Sequence, residues 1–147
     1  MTINEDKYEK KLANKLAKFS STFMSNTKWT KLFEKLSQNK DSINMCLMKN
    51  IYDELLREIC IPKIDNFTTV FHDKGFNDSY RNQPYLFKEI QWIEFPAKWT
   101  IGRQMRGQNL EPHKYEQDIL KIKKQIENIG QFQIECESDK LIIYGYK

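Results

Sequence analysis

Residues 86–95 read LFKEIQWIEF, and the fold follows from how that stretch is placed. Its aromatic and β-branched residues favour a pleated, half-buried surface. On a period of two, Leu86, Ile90 and Trp92 face one way and Phe87, Ile93 and Phe95 the other. Apolar residues on both sides predict a central strand covered on both faces. Pro96 ends it.

Downstream, residues 97–110 contain Gly102 and Gly107 and read as irregular. Pro112 suits the first turn of a helix, whose stripe would be Tyr115, Ile119, Ile122, Ile126 and Ile129, with Gly130 as the closing C′ residue. Phe132, Ile134 and Cys136 then alternate on a strand, Ser138-Asp139 turns the chain, and residues 140–146 return as a final strand.

Upstream, residues 73–82 (DKGFNDSYRN) carry turn chemistry and predict a loop or loose hairpin. Residues 67–72 (FTTVFH) have strand composition, and 58–64 contain Pro62, which suits an edge strand. Residues 52–57 (YDELLR) read as helical, and 44–51 as a strand or the start of that helix. At the front, Tyr8, Leu12, Leu16, Phe19 and Phe23 form one apolar stripe on a helix over 5–24. Asn26-Thr27 offers a cap for a second helix bearing Trp29, Leu32, Phe33 and Leu36 and stopping near Gln38-Asn39. Helix, helix, strands, helix, hairpin is the order of an α+β domain with a mainly antiparallel sheet.

The 147 residues suit one domain, 1–147, with 1–24 as a helical N-terminal extension and 25–147 as the α+β core. Nineteen aromatics and a net charge of +4 exclude a disordered chain. No apolar run reaches the ~18–20 residues of a membrane span, and the polar start MTINEDKYEKK shows no signal peptide, so a cytoplasmic protein without a membrane partner is expected. Cys46, Cys60 and Cys136 have apolar neighbours and no C-x-x-C spacing, which reads as buried free thiols. His72 and His113 stand alone, so neither a metal nor another cofactor is expected. Residues 1–40 hold nine Lys and four acids, a charge of +5, against −1 for the remainder. With twenty Lys to four Arg, that basic end supplies point charges rather than the bidentate forks favoured for base and phosphate recognition.

Three short stretches then stand out together: NTKW at 26–29, EIQWIEF at 89–95, and IYGY at 143–146. In order and spacing the chain resembles a family of small bacterial proteins of unknown function that carry NTKW near the start, a strand written IEWIEI, and YGY near the end. The resemblance covers roughly residues 25–147 and implies one compact α+β domain in a bacterial cytoplasm, with no chemistry attached. Gln91 stands where that strand has an acid. A catalytic role for that carboxylate would therefore be lost here.

Candidate sites are few. Residues 98–107 (KWTIGRQMRG) combine Trp99, Arg103 and Arg106 with two glycines, the ingredients of a phosphate or single-strand contact, without phosphate-loop spacing. Tyr144 and Tyr146 share one face of the last strand, with Gly145 between them. Trp29 and Trp92 could pair around a ligand, although both positions also suit the core. His72, Asp73, Asp78, Glu89 and Glu94 are the acid–base groups at hand; on an unbroken strand Glu89 and Glu94 would face opposite ways and form no dyad. A non-catalytic protein-interaction module, such as a toxin-neutralising immunity protein, fits best, with a nucleic-acid-binding protein using the Lys-rich helices and residues 98–106 as the alternative.

Overall fold

The computed structural model describes residues 3–78, 83–105 and 107–147. Among the described residues nine strands and four helices make an α+β fold: α1 (Ile3–Leu16), α2 (Asn26–Gln38), β1 (Cys46–Asn50), β2 (Arg57–Ile59), α3 (Phe67–Val70), β3 (Gly75–Asp78), β4 (Gln83–Leu86), β5 (Ile90–Pro96), β6 (Lys98–Met105), β7 (Gln108–Glu116), α4 (Ile119–Glu127), β8 (Ile134–Cys136) and β9 (Lys140–Tyr144). A five-stranded sheet runs β2-β1-β5-β9-β8, antiparallel throughout, beside two separate ribbons, β3–β4 and β6–β7. β5 is central and β2 an edge, as Trp92-bearing and Pro62-flanked segments predict.

Register sorts the sheet into two faces. Met48, Ile93, Ile143 and Ile134 form one cross-strand row, and they join the main core with Trp29, Leu32, Phe33 and Leu36 of α2 and Ile119, Ile122 and Ile126 of α4. Phe33 sits at its centre, with ring centroids of Trp29, Phe71, Phe76 and Phe87 between 4.9 and 6.0 Å away. The opposite face carries the rows Leu47–Glu94–Ile142–Glu135 and Lys49–Trp92–Tyr144.

Several local readings are corrected by tertiary packing. Residues 87–89 form a 3₁₀ turn, and β1 steps from Lys49↔Trp92 to Asn50↔Ile90, so Gln91 is bulged out and the parity of the strand changes. Ile90 therefore joins Ile93 in the main core while Trp92 lies on the other face. Residues 52–57 form no helix, since 52–56 turn and Arg57 opens β2: Asn50 Oδ1 accepts from Tyr52 N, Asp53 Oδ1 from Leu55 N, and Asp53 Oδ2 pairs with Arg57 Nε at 2.6 Å. Such local side-chain bonds compete with the helical ladder. FTTVFH is the helical turn α3, because Phe67 and Phe71 stack at 4.7 Å one turn apart and both enter the core. Of residues 73–82, 75–78 form β3, which pairs with β4 beyond that stretch as a hairpin whose intervening residues lie outside the described ones.

The irregular 97–110 and the helix-opening Pro112 are both overturned: the chain forms a long β6–β7 ribbon. Gly102 and Pro112 fall where its register shifts, between Ile101↔His113 and Arg103↔Leu110, so the missing proline N–H breaks no ladder bond. Gly107, with φ of 77°, occupies the turn. α4 then starts at Ile119, capped by Asp118, whose Oδ1 accepts from Lys121 N. Gly130 is no left-handed cap; Gly107 is the one positive-φ glycine among the described residues. For α2 the cap is Ser25 rather than Asn26-Thr27, its Oγ accepting from Lys28 N at 3.1 Å.

The predicted helix over 5–24 also ends early, at Leu16. Beyond it the chain straightens and zips onto the C-terminus: Ser20 and Ser21 N donate to Lys147 O, Lys147 N to Ser21 O, and Phe23 N to Gly145 O. A second cluster of Leu12, Ile51 and Tyr146, with Tyr8, Leu16, Phe19 and Tyr52 around it, seats α1. Of the cysteines only Cys46 is buried, where burial pushes its thiol well above the ordinary range. Cys60 and Cys136 are exposed because they lie at the edge strands β2 and β8.

Gln117 anchors the ribbon. Its Oε1 accepts from Asn44 N and Met45 N, its Nε2 donates to Met45 O and Pro96 O, and its backbone N donates to Ala97 O at 2.9 Å. The core prediction is direct. Phe33→Ala removes a fully buried ring and is expected to cost about 3–5 kcal/mol. Leu55→Ala, at 75% exposure, is expected to change stability by less than about 0.5 kcal/mol. Urea unfolding of both variants checks the contrast.

Candidate functional site

Two surfaces carry the side chains singled out by the sequence. The first is the sheet face away from the main core. Trp92 and Tyr144 are cross-strand neighbours with ring centroids 6.0 Å apart and planes inclined at 60°. Each ring has a lysine over it, Lys49 above Trp92 at 5.8 Å and Lys147 above Tyr144 at 4.8 Å. Carboxylates hold the polar ends: Trp92 Nε1 donates to Glu94 Oε1 at 3.2 Å, and Tyr144 OH to Glu135 Oε2 at 2.9 Å. Lys49 Nζ donates to Asn50 O and to Gln91 Oε1.

Electrostatics follow from this packing. Burial lowers the Lys49 ammonium, Asp53 and Glu54 oppose that, and Lys15 of α1 lowers it further by like-charge repulsion. The Tyr144 phenol is pushed up to about 12, first by burial and then by its bond to Glu135. Tyr8, which donates to Glu89 Oε1 at 2.6 Å, is raised for the same two reasons. These phenols are neutral donors.

The second surface is the β6–β7 ribbon. Trp99 and Tyr115 are paired across it and stacked, with centroids 5.8 Å apart and planes 12° from parallel. Ile101 and His113, two residues along, extend the same side. Ile101 is 49% and Tyr115 41% exposed, and Leu110 near the tip is also open to solvent.

The predicted site residues therefore separate. Trp99 lies on the ribbon and Tyr144 on the sheet face. Arg103 occupies β6 opposite Leu110, but its side chain and the whole of Arg106 lie outside the described residues. Tyr146 is a packing residue: it is buried, stacks on Phe19 at 5.5 Å, and donates to Lys88 O. Trp29 and Trp92 form no pair, because Trp29 is in the main core on the other face of the sheet. The residues that complete each surface, Tyr115, Lys49 and Glu135, were not singled out. Tyr115 was hidden by a helix-like spacing, and cross-strand neighbours so far apart in sequence leave no local signal.

The acid–base candidates do not assemble. His72 Nδ1 accepts from Lys74 N at 3.3 Å and lies 3.9 Å from Asp73 on the surface. Glu89 sits in the 3₁₀ turn, so the alternation argument for it does not apply; it serves Tyr8 while Glu94 serves Trp92. Asp78 closes β3, where its side chain is outside the described part. Among the described residues no group of three His, Cys, Asp or Glu could hold a metal ion. No helix there is long and apolar enough to cross a membrane.

The three stretches NTKW, EIQWIEF and IYGY do meet. A Cβ on Gly145 would lie 2.5 Å from Ile90 O, 3.1 Å from the Trp29 ring and 3.3 Å from Gln91 O. Gln91 O in turn accepts from Gly145 N at 2.7 Å and Tyr146 N at 3.1 Å. Comparison with protein-family models, curated proteins and solved structures gives no match for the chain.

The raised Tyr144 phenol makes a pH prediction. A group whose folded pKa exceeds its unfolded value near 10 stabilises fully below that value and ceases to as pH climbs toward 12. Melting temperature is expected to fall between about pH 10 and 12, and less steeply in Tyr144→Phe, which has no proton to lose. Thermal melts across that window check it.

Proposed function

We propose that the protein is a non-catalytic interaction module that grips a protein partner with its β6–β7 ribbon, in the manner of an immunity protein neutralising a toxin. One observation carries this reading: among the described residues the ribbon's strands pair only with each other and leave Ile101, Tyr115 and Leu110 in water. A two-stranded hairpin is marginal in water without a surface to cover its apolar side. Aromatic anchors such as Tyr115 are also among the residues that dominate binding energy at interfaces. Gln117 and the Ala97 hydrogen bond hold the root of the arm against the core.

The scattered acid–base groups support a binding role over catalysis. The lysine-rich N-terminus favours a partner with an acidic or neutral contact surface, since a basic toxin would be repelled. A bacterial, cytoplasmic setting belongs to the same proposal.

Retention of a stoichiometric protein on the tagged chain, from nuclease-treated source lysate at moderate salt, tests the reading. The double variant Ile101→Ser, Tyr115→Ser is expected to weaken that retention by about tenfold or more, as loss of a hot-spot residue does, while its melting temperature stays within a few degrees of the parent. Retention unaffected by the substitutions would overturn the assignment to the ribbon.

A further inference from the structure

The lysines of α1 lie on one side of it. Lys7, Lys11 and Lys15 follow one another at ~6 Å intervals along the axis, with Lys10, Asn14 and Lys18 beside them, and together they line a shallow groove of ≈ 400 Å³. At 3.6 residues per turn Glu5 and Glu9 fall on the far side of the helix, and Asp6 flanks the lysine face one turn before Lys10. Among the described residues no ion pair engages Lys7, Lys10, Lys15 or Lys18.

The stripe continues onto the sheet. Lys11 lies over the Tyr52 ring at 4.9 Å, and Lys15 is close enough to Lys49 to repel its ammonium. Lys49 in turn caps Trp92, which neighbours Tyr144 and Lys147. A row of cations thus ends on two half-buried aromatic rings whose orientations Glu94 and Glu135 fix.

We infer that α1 and the Lys49–Trp92–Tyr144 face together form a binding track for single-stranded nucleic acid, independent of the ribbon. The lysine stripe tracks the phosphates, and an unpaired base replaces an ammonium over the Trp92 or Tyr144 ring. A duplex keeps its bases stacked inside and cannot use the rings. A lipid surface is disfavoured because the apolar side of α1 (Tyr8, Leu12, Leu16) is already spent on Ile51, Tyr52 and Tyr146. Lysine point charges carry no base code, so binding tolerates sequence.

The test uses the full chain and a fluorescein-labelled 20-nucleotide oligothymidylate, read by anisotropy and tryptophan quenching across a salt series. The single strand is expected to bind more tightly than an A·T duplex of equal length and to quench tryptophan emission. Lys7→Gln, Lys11→Gln, Lys15→Gln and Lys18→Gln combined are expected to make the log–log salt slope about 3 units shallower, from ~0.7 per phosphate contact in single strands. These are surface substitutions, so an unchanged melting temperature verifies folding. Trp92→Phe is expected to remove most of the quench while keeping a ring. Absent binding, equal binding of the duplex, displacement by polyglutamate as effective as by unlabelled strand, or an unchanged slope in the quadruple variant would each overturn the inference.

Discussion

A single missing Cβ organises this molecule. At Gly145 the last strand comes so near the β5 bulge that a methyl group would overlap Ile90 O, and the space is shared with the Trp29 ring. The approach lets the bulged Gln91 carbonyl take two N–H groups, from Gly145 and Tyr146. It also fixes which way the neighbouring tyrosines point. With Gly145 turned toward α2, Tyr144 and Tyr146 must point to the opposite face. Tyr146 then helps seat α1, and Tyr144 pairs with Trp92. The zipper of residues 20–23 onto the C-terminus follows from the same placement, because Gly145 O accepts from Phe23 N.

The two faces of the sheet are consequently different solvents. One is a dry aromatic core around Phe33, where α2, α3, α4 and the β3–β4 hairpin contribute side chains. The other is mixed, and its buried carboxylate Glu94, at 8% exposure, is tolerable because Trp92 Nε1 donates to it. A buried charge costs stability unless its hydrogen bonds are satisfied. Between Leu47 and Ile142 in the middle of the sheet, Glu94 thus serves to orient the Trp92 ring.

The α2 and α4 stripes and the closing β8–β9 hairpin were legible because their signals are local. The α2 stripe and the Ile119, Ile122, Ile126 stripe repeat at helical spacing and are buried as that spacing requires. Pro62 placed β2 at an edge for a local reason too. What was not legible depended on partners distant in sequence. The ribbon was missed because Gly102 and Pro112 punctuate it, and the register shift that accommodates both exists only once the strands pair. The bulge at Gln91 reversed the facing of Ile90, and nothing within residues 86–95 announces it. Site legibility divides the same way. Tyr144 was identifiable as a strand aromatic and Trp99 only by the composition of a stretch read as irregular, whereas Lys49, Glu135 and Tyr115 acquire meaning only across strands.

The hydrogen bond from Gln117 N to Ala97 O closes the ribbon at its base, so the chain leaves the core and re-enters it at a single point. Everything from Lys98 to Glu116 is thereby an inserted loop whose ends already touch. Loop closure costs rise only slowly with length. A longer or shorter arm would thus hang from the same two neighbouring ends and leave the packing around Phe33 as it is.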